Sequence, residues 1–256
     1  MALSTPIESP AELRERVSPS EWQARVELAA AYRLVVHFGW DDLIFTHISA
    51  RVPGTHDFLI NPYGLLFSEI TASNLVKVDL DGTIVEPTPY FINPAGFTIH
   101  SAVHAAREDV GCVLHLHTVA GVAVSCQEQG LIPLNQTAML LNDEVAYHEY
   151  EGVALDLEER PRLVADLGAK SVMLLRNHGT LAVGATTPQA FLMMYLLERA
   201  CATQVAALAG GGALHFPSEA VQAVVRGQAG GLGQAARLAW DPLLRMLDKQ
   251  DPSYKS

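Results

Sequence analysis

The chain of 256 residues carries 17 basic and 28 acidic side chains, which gives a formal net charge of -11 at pH 7. It has no basic run, so a nucleic-acid surface is not expected, because phosphate binding needs clustered lysine and arginine. Charges stand near the N-terminus where a signal peptide has its apolar segment, and the three cysteines lack paired spacing. These features predict a reduced, cytoplasmic protein.

The N-terminal half of the chain is predicted to contain one helix and several short strands, after a poorly ordered lead-in over residues 1–17. Ser, Pro and Glu at its start and Gly39 at its end mark the helix SPSEWQARVELAAAYRLVVHFG. The runs LIFTHISARV and DFLINP flank a Pro-Gly turn and are predicted to be strands. VKVDLDGTIVEP has two β-branched runs around Asp81-Gly82, which predicts a hairpin.

The next part of the chain is predicted to alternate helices and strands. PAGFTIHSAVHAAR repeats apolar and histidine positions at helical spacing from Pro94. A strand then ends at His117, and a helix follows over residues 118–127. EVAYHEY and SVMLLR are predicted strands on either side of a helix near LEERPRLVADLG. The long apolar helix after them contains Glu198 and Arg199, which favours a buried helix over a membrane span.

The segment after residue 210 changes in composition, with the glycine clusters GGG and GQAGGLG before the amphipathic run AARLAWDPLLRMLDKQ. We interpret residues 211–256 as a peripheral helical tail. Residues 18–210 then form the main domain, and their mixture of strands and helices predicts an α/β layered fold.

Two histidines at a spacing of two are the clearest chemical signal. In a strand, side chains at i and i+2 project from the same face, so His115 and His117 are expected to point at one spot. His178 lies in a tight Asn-His-Gly turn after another apolar strand. Three imidazoles leave an open coordination position on a metal ion. The alternative is that these are ordinary polar residues near strand ends, and residue types and spacing leave both interpretations open.

Five stretches of the chain resemble the class II aldolase/adducin family. They are LVVHFGW…THISARV, FLINPYGLLFSEITASNLVKVD, GFTIHSAVHAAR, CVLHLHT and NHGTLAVG, which cover about residues 22–210. Their sequences are most similar to the adducin-like branch. The resemblance implies a three-layer α/β fold with a central mixed, largely antiparallel sheet flanked by helices.

The resemblance also implies a metal site and an assembly. In the enzymes of this family, the H-x-H pair and the later histidine bind a divalent metal, and the matching residues here are His115, His117 and His178. Zinc is the first expectation, with manganese, iron, cobalt and magnesium as alternatives. A homotetramer is expected, with His215 or Tyr254 reaching a neighbour's pocket.

The chain departs from the enzymes at the acid. The aldolases and epimerases place a proton-transferring acidic residue at the start of the helix before the H-x-H strand, and here that position is Gly96. Glycine cannot transfer a proton. We therefore expect His100, His47 or Tyr63 to carry the proton transfer. His104, deeper in the same helix, is expected to be structural.

The chain also departs from the phosphate-binding loops of the sugar-phosphate members. The corresponding stretches are FTHISA, NPYG and NPAG, in which several backbone-rich donors are replaced. A phosphorylated substrate is therefore not expected, and Tyr63, His47 and Phe67 would suit a carboxylate or an aromatic ring. The residues predicted to bind substrate are Ser49, Asn61, Gly64 and Asn93.

These observations favour a metal-dependent lyase acting on a small, unphosphorylated oxo- or hydroxy-acid or aldol, with aldolase-type and decarboxylase-type cleavage both open. Decarboxylation needs only a later protonation, so it survives the loss of the acid. One alternative is a non-catalytic adducin-like module that binds the cytoskeleton. Another is a non-heme iron oxygenase on the same three histidines. A small-molecule substrate is expected, with neither nucleic acid nor membrane as partner.

Overall fold

Capping side chains begin most of the helices, including the helix whose Ser-Pro start the sequence predicted. In the computed structural model, which describes residues 9–154 and 156–256, Ser18 Oγ accepts from the backbone N–H of Glu21 at 3.1 Å. Such a cap satisfies one of the free N–H groups of the first turn. The helices are α1 (Pro10–Arg16), α2 (Pro19–His37), α3 (Pro94–Ala106), α4 (Val119–Ser125), α5 (Gln136–Leu141), α6 (Arg160–Leu167), α7 (Thr187–Ala209), α8 (Glu219–Gln228) and α9 (Leu232–Gln250).

In the described residues, seven strands form one sheet in the order β3-β2-β1-β4-β7-β6-β5. All neighbouring strands are antiparallel except β5 and β6, which are parallel. The predicted mixed, largely antiparallel sheet is therefore confirmed. The strands are β1 (His47–Arg51), β2 (Phe58–Ile60), β3 (Val76–Val78), β4 (Cys112–Leu116), β5 (Val145–His148), β6 (Val172–Leu175) and β7 (Gly179–Gly184).

Helices cover both faces of this sheet, which gives the predicted three layers. Leu114 of β4 packs in a core with residues of α2, α7 and α9. Val113 points to the opposite face, where it packs with residues of α3 and α6. Side chains alternate along a strand, so His115 shares the α3 face with Val113. The sheet thus aims this histidine at the helix that carries Gly96 and His100.

Helix α7 packs against β7, α4 and α5. By length and composition alone it is long and apolar enough to cross a membrane. Its core residues Phe191, Met194 and Leu197 are almost fully buried against the sheet. This agrees with the predicted buried helix.

Two segments at the chain ends differ from expectation. Part of the expected lead-in forms α1, because Ser9 and Glu12 cap each other's backbone N–H groups; residues 1–8 lie outside the described residues. The C-terminal segment is not peripheral, since Trp240, Leu247 and Tyr254 belong to the main core. The apolar face of the amphipathic α9 explains the burial of Trp240 and Leu247. Tyr254 is fully buried within its own chain, so it cannot reach a neighbour's pocket in this conformation.

Two sequence predictions in the sheet were incomplete. Only the first arm of the predicted hairpin is a strand, and its partner arm makes an isolated bridge between Val78 and Ile84. Pairing stops soon afterwards, at Pro87, which has no N–H to donate. No strand was predicted after the Asn-His-Gly turn, where β7 pairs with both β4 and β6.

Candidate functional site

The structure brings the three predicted imidazoles together at one end of the sheet. His115 lies near the end of β4, His117 follows it, and His178 lies in the turn between β6 and β7. Their candidate ligand atoms all lie within 4.8 Å of one another, and the Nε2 atoms of His115 and His117 are 3.0 Å apart. Asn177 has a φ of 56°, a left-handed conformation that asparagine tolerates well, and this turn presents His178 to the other two rings.

In two of the rings, the nitrogen that points away from the cluster is hydrogen-bonded, and the nitrogen that faces the cluster is free to bind a metal ion. His115 Nδ1 donates to the backbone carbonyl of Thr180 at 3.0 Å, and His117 Nδ1 donates to Asp42 Oδ2 at 3.2 Å. Both Nε2 lone pairs then face each other, an arrangement that a cation stabilises. Metal-binding histidines commonly have such outer partners on the second nitrogen. This donor set therefore fits a divalent ion.

The protonation states also fit a metal ion. Burial holds the pKa of His115 well below its usual range, with further lowering from the nearby charges of His178, His47 and His117. Burial, His117 and His148 lower the pKa of His178 to about 4. Neutral imidazole is the form that binds metal. These rings are therefore ready to act as ligands at neutral pH.

His47 occupies the space that a side chain at position 96 would enter. A Cβ atom on Gly96 would lie 2.4 Å from Cδ2 and 2.8 Å from Nε2 of His47, so only glycine fits here. The His47 ring also stacks on His115, with centroids 5.1 Å apart. The preceding Thr46 has a φ of 65°, a conformation that is strained for a β-branched residue. Such strain is retained where the surrounding structure fixes it, commonly at functional sites.

A buried chain of hydrogen bonds leads away from His47. His47 Nδ1 is 2.8 Å from His100 Nε2, His100 Nδ1 is 2.5 Å from Ser49 Oγ, and Ser49 Oγ is 2.7 Å from His104 Nε2. In the described part of the chain, His104 Nδ1 has no partner. The protons along this chain can all point toward His47 or all away from it, depending on the tautomers. In one arrangement His47 Nε2 accepts a proton, and in the other it donates one.

The remaining predicted residues differ in their surroundings. Asn61 is buried, and its Oδ1 accepts from Tyr32 OH at 2.8 Å, while Asn93 Oδ1 caps α3 through the N–H of Ala95. Tyr63 is bound through its backbone to Phe91 and also contacts its ring. Their contact with substrate, like that of Gly64 in its turn, stays a prediction.

One suggested contact residue was wrong, and two partners of the site were missed. Phe67 is fully buried against the Tyr32 ring, so it cannot face a ligand. Asp42 and Thr180, which orient two of the imidazoles, had no local sequence signal, because each meets its histidine only through the fold. His104, expected to be structural, joins the hydrogen-bond chain through Ser49.

The buried histidines predict loss of stability in acid. Burial and nearby Arg51 lower the pKa of His104 from 6.5 to about 3 in the folded protein. Between these values the unfolded chain binds the proton and the folded chain does not, so the free energy of unfolding falls as pH falls. Each such histidine contributes up to about 1.4 kcal/mol per pH unit. Urea denaturation in chelator between about pH 7.5 and about pH 5 measures this. An unchanged midpoint and slope would contradict it.

Comparison with known proteins identifies the family. The family model described as the Class II Aldolase and Adducin N-terminal domain matches residues 26–205. A Caulobacter vibrioides protein, named provisionally as an aldolase class 2 protein, is 60% identical over 245 residues, which is 94% of this chain and 95% of the relative. Alpha-adducin of Mus musculus is 50% identical over 192 residues, which is 73% of this chain but only 26% of alpha-adducin.

The fold agrees with this assignment. The crystal structure of an aldolase II superfamily protein from Pseudomonas syringae has a TM-score of 0.92 and 55% sequence identity, and the match covers 95% of this chain and 99% of that one. The predicted class II aldolase-like architecture is therefore confirmed. The chain belongs to the class II aldolase and adducin family.

Proposed function

We propose that this protein is a cytoplasmic, divalent-metal-dependent lyase that cleaves a carbon–carbon bond in a small, unphosphorylated oxo- or hydroxy-acid or aldol. The observation that carries the proposal is the position of His47. Its ring lies against both Gly96 and His115, so a group able to transfer protons lies beside the position where the resemblance to the aldolases and epimerases implies an acid. A site that keeps three histidines and replaces the acid in this way favours retained chemistry.

A divalent ion held by His115, His117 and His178 would neutralise negative charge that develops on adjacent substrate oxygens during cleavage. The remaining step is proton transfer. For retro-aldol cleavage, His47 Nε2 takes the hydroxyl proton, and a proton must later reach the product carbon. For decarboxylation only the second transfer is needed, since carbon dioxide leaves without a base.

The hydrogen-bond chain supports both directions of transfer. When His47 Nε2 accepts a proton, its Nδ1 proton can pass to His100, and the next proton can pass through Ser49 to His104. When the same shifts run in reverse, His47 Nε2 donates. The proton taken up in retro-aldol cleavage adds one positive charge, which rests on His104 when the shifts are complete and is removed when they run in reverse. After decarboxylation, solvent has to replace the proton that His47 gives to the product.

The hydrogen bonds that the loop side chains already make within the protein favour an unphosphorylated substrate. The loop that is Gly-Asn-x-Ser in the sugar-phosphate members here begins with Thr46 and His47. The Ser49 hydroxyl already bonds to His100 and His104, and the Asn93 side chain caps α3. These groups are therefore engaged within the protein rather than free to bind phosphate.

Turnover assays on a panel of small oxo- and hydroxy-acids test the proposal. We expect aldehyde or carbon dioxide release that a chelator abolishes and that added zinc restores. Manganese, iron, cobalt and magnesium are the alternatives to zinc, and oxygen consumption with iron would indicate an oxygenase instead. Efficient cleavage of fuculose phosphate, or no turnover across the panel, would contradict the proposal.

A pair of serine variants tests the proton path. Ser49→Ala removes the hydroxyl between His100 and His104, so we expect kcat to fall by at least about tenfold while KM changes little. Ser101→Ala is the matched control, because this serine is buried in α3 but its hydroxyl donates to the Phe97 carbonyl. Equal kcat values for the two variants would contradict a role for Ser49 in proton transfer.

A non-catalytic binding module is the second candidate, favoured by the 50% identity to alpha-adducin. This chain corresponds to about a quarter of that protein. Cosedimentation with actin filaments distinguishes the two candidates. Tight binding without turnover on any acid would support the module.

We also propose a homotetramer with the metal site near a subunit boundary. Val119, next to the site, is 88% exposed, and Tyr150, near His178, is 53% exposed. Neighbouring residues are internal and are not part of this proposed boundary, since Val124 is buried and Tyr147 stacks with Arg176. Sedimentation velocity at micromolar concentration should give a tetramer, and Val119→Asp should dissociate it. A monomeric wild-type protein would contradict this.

A further inference from the structure

A single buried carboxylate joins the chain segments that carry all three imidazoles. Glu198 lies in the middle of α7 and is only 3% exposed. Its Oε2 accepts a hydrogen bond from Thr118 Oγ1, and its Oε1 accepts from Thr180 Oγ1 at 3.0 Å. The two threonines lie on different segments of the chain, so Glu198 ties these segments to each other and to α7.

Each threonine is directly connected to metal-ligand candidates. Thr118 follows His117 in the chain, and its hydroxyl also accepts from the N–H of Gly121 at 3.0 Å, which begins α4. Thr180 lies two residues after His178, and its carbonyl accepts from His115 Nδ1 at 3.0 Å. A shift of the carboxylate would therefore move the backbone next to every imidazole of the cluster.

The packing leaves little freedom around this carboxylate. A Cβ atom on Gly121 would lie 2.9 Å from Glu198 Oε1 and 2.8 Å from Thr118 Oγ1. A larger residue would therefore push the carboxylate away from its partners. Glycine lets α4 approach α7 closely enough for both hydroxyls to reach Glu198.

The charge of Glu198 is the second argument. No ion pair joins Glu198 to a basic side chain anywhere in residues 9–154 and 156–256. A buried carboxylate without a cation is costly, and hydroxyl donors offset only part of that cost. Three neutral imidazoles bring no negative charge to a divalent ion. A carboxylate connected to their chain segments through Thr118 and Thr180 would compensate part of the ion's charge.

We propose that Glu198 is a positioning residue that sets the affinity and geometry of the three-histidine cluster for a divalent ion. The inference rests on the metal site of the proposed function and adds a residue outside the ligand set. Its carboxylate acts through Thr118 and Thr180 rather than by touching metal or substrate.

Metal titrations of Glu198→Ala and Glu198→Gln test this, with Co²⁺ and Zn²⁺ alone as the probes. We expect the Co²⁺ dissociation constant to rise about 10- to 100-fold in Glu198→Ala, the range for lost outer partners of metal ligands. Glu198→Gln should lie between this variant and the wild type. The visible absorption of bound Co²⁺ should also change shape, since it reports ligand geometry.

Gln204→Ala is the matched control, because Gln204 is buried in the same helix and its side chain bonds to Gln127, Gly130 and Ile132. It should keep the wild-type Co²⁺ affinity and spectrum even where it lowers thermal stability. Thr180→Val covers the case in which Glu198→Ala does not fold, and should also weaken Co²⁺ binding. Folded Glu198 and Thr180 variants with wild-type affinity and spectrum would overturn the inference alone. A wild-type protein that binds neither ion would overturn the metal site as well.

Discussion

Replacing His115 with alanine is expected to remove the bound divalent ion from the purified protein and to abolish metal-dependent turnover. His115 is the most central ligand candidate, since its ring contacts those of His47, His117 and His178. Two remaining imidazoles on one ion bind far more weakly than three held in fixed positions. Elemental analysis of protein prepared without added metal should give about one ion per wild-type chain, as expected for one site, and close to none for the variant.

His56→Ala is the control for this experiment. His56 is an exposed histidine in the turn between β1 and β2, away from the cluster, so its loss should leave the metal content unchanged. Circular dichroism should show that both variants are folded. His115→Ala protein with undiminished metal content would refute the three-histidine site.

Adding a single methyl group at Gly96 is expected to destabilise the protein by about 1–3 kcal/mol, as is usual for overpacking a filled interior. The new Cβ would lie 2.4 Å from the His47 ring, far inside contact distance. If this ring causes the clash, removing it should relieve the cost. In a double-mutant cycle with His47→Ala, we expect a favourable coupling of about 1–2 kcal/mol, measured by urea denaturation.

Gly227→Ala is the matched control, since Gly227 lies in α8 and a Cβ there meets no atom within 4 Å. It should stabilise the protein by about 0.5–1 kcal/mol, the usual helix preference of alanine over glycine. Strict additivity of Gly96→Ala and His47→Ala would show that His47 does not fill the space.

The same clash affects any attempt to place an acidic residue at position 96, where the resemblance to the aldolases and epimerases implies one. Gly96→Glu alone should not raise turnover of the native substrate, because its side chain has to enter the space that His47 fills. Combining it with His47→Ala provides that space. Aldolase activity in the double variant but not in Gly96→Glu is the expected result.

Local periodicity was enough to predict part of the site. A spacing of two in a strand places side chains on one face, and the 3.0 Å between the Nε2 atoms of His115 and His117 follows from it. Helices α2 and α3 and most strands followed from equally local signals. The convergence of His178 with this pair needed the family resemblance, because no pattern connects the two segments.

The rest of the site depends on contacts between distant segments. Nothing near Gly96 indicates that His47 fills its missing side chain, and nothing near Asp42 indicates a bond to His117. Strand β7 was missed for a similar reason, since its short GTLAVG sequence is a strand through pairing on both sides. The burial of Tyr254 was not predicted, because a single tyrosine in the polar segment DPSYKS does not indicate that it packs into the main core.

The register of the central strands makes the alignment of the histidine rings independent of the exposed residues around the site. His47, His115 and Leu181 lie opposite one another on β1, β4 and β7, so backbone ladders rather than loops fix the rings of His47 and His115. Amide protons in such a ladder exchange with solvent mainly when the whole domain opens. The exposed side chains of Leu43, in a turn, and Val119, at the start of α4, lie outside it. Evolution can therefore change the exposed residues around the site, and with them what the protein recognises, while His47 and His115 keep their alignment.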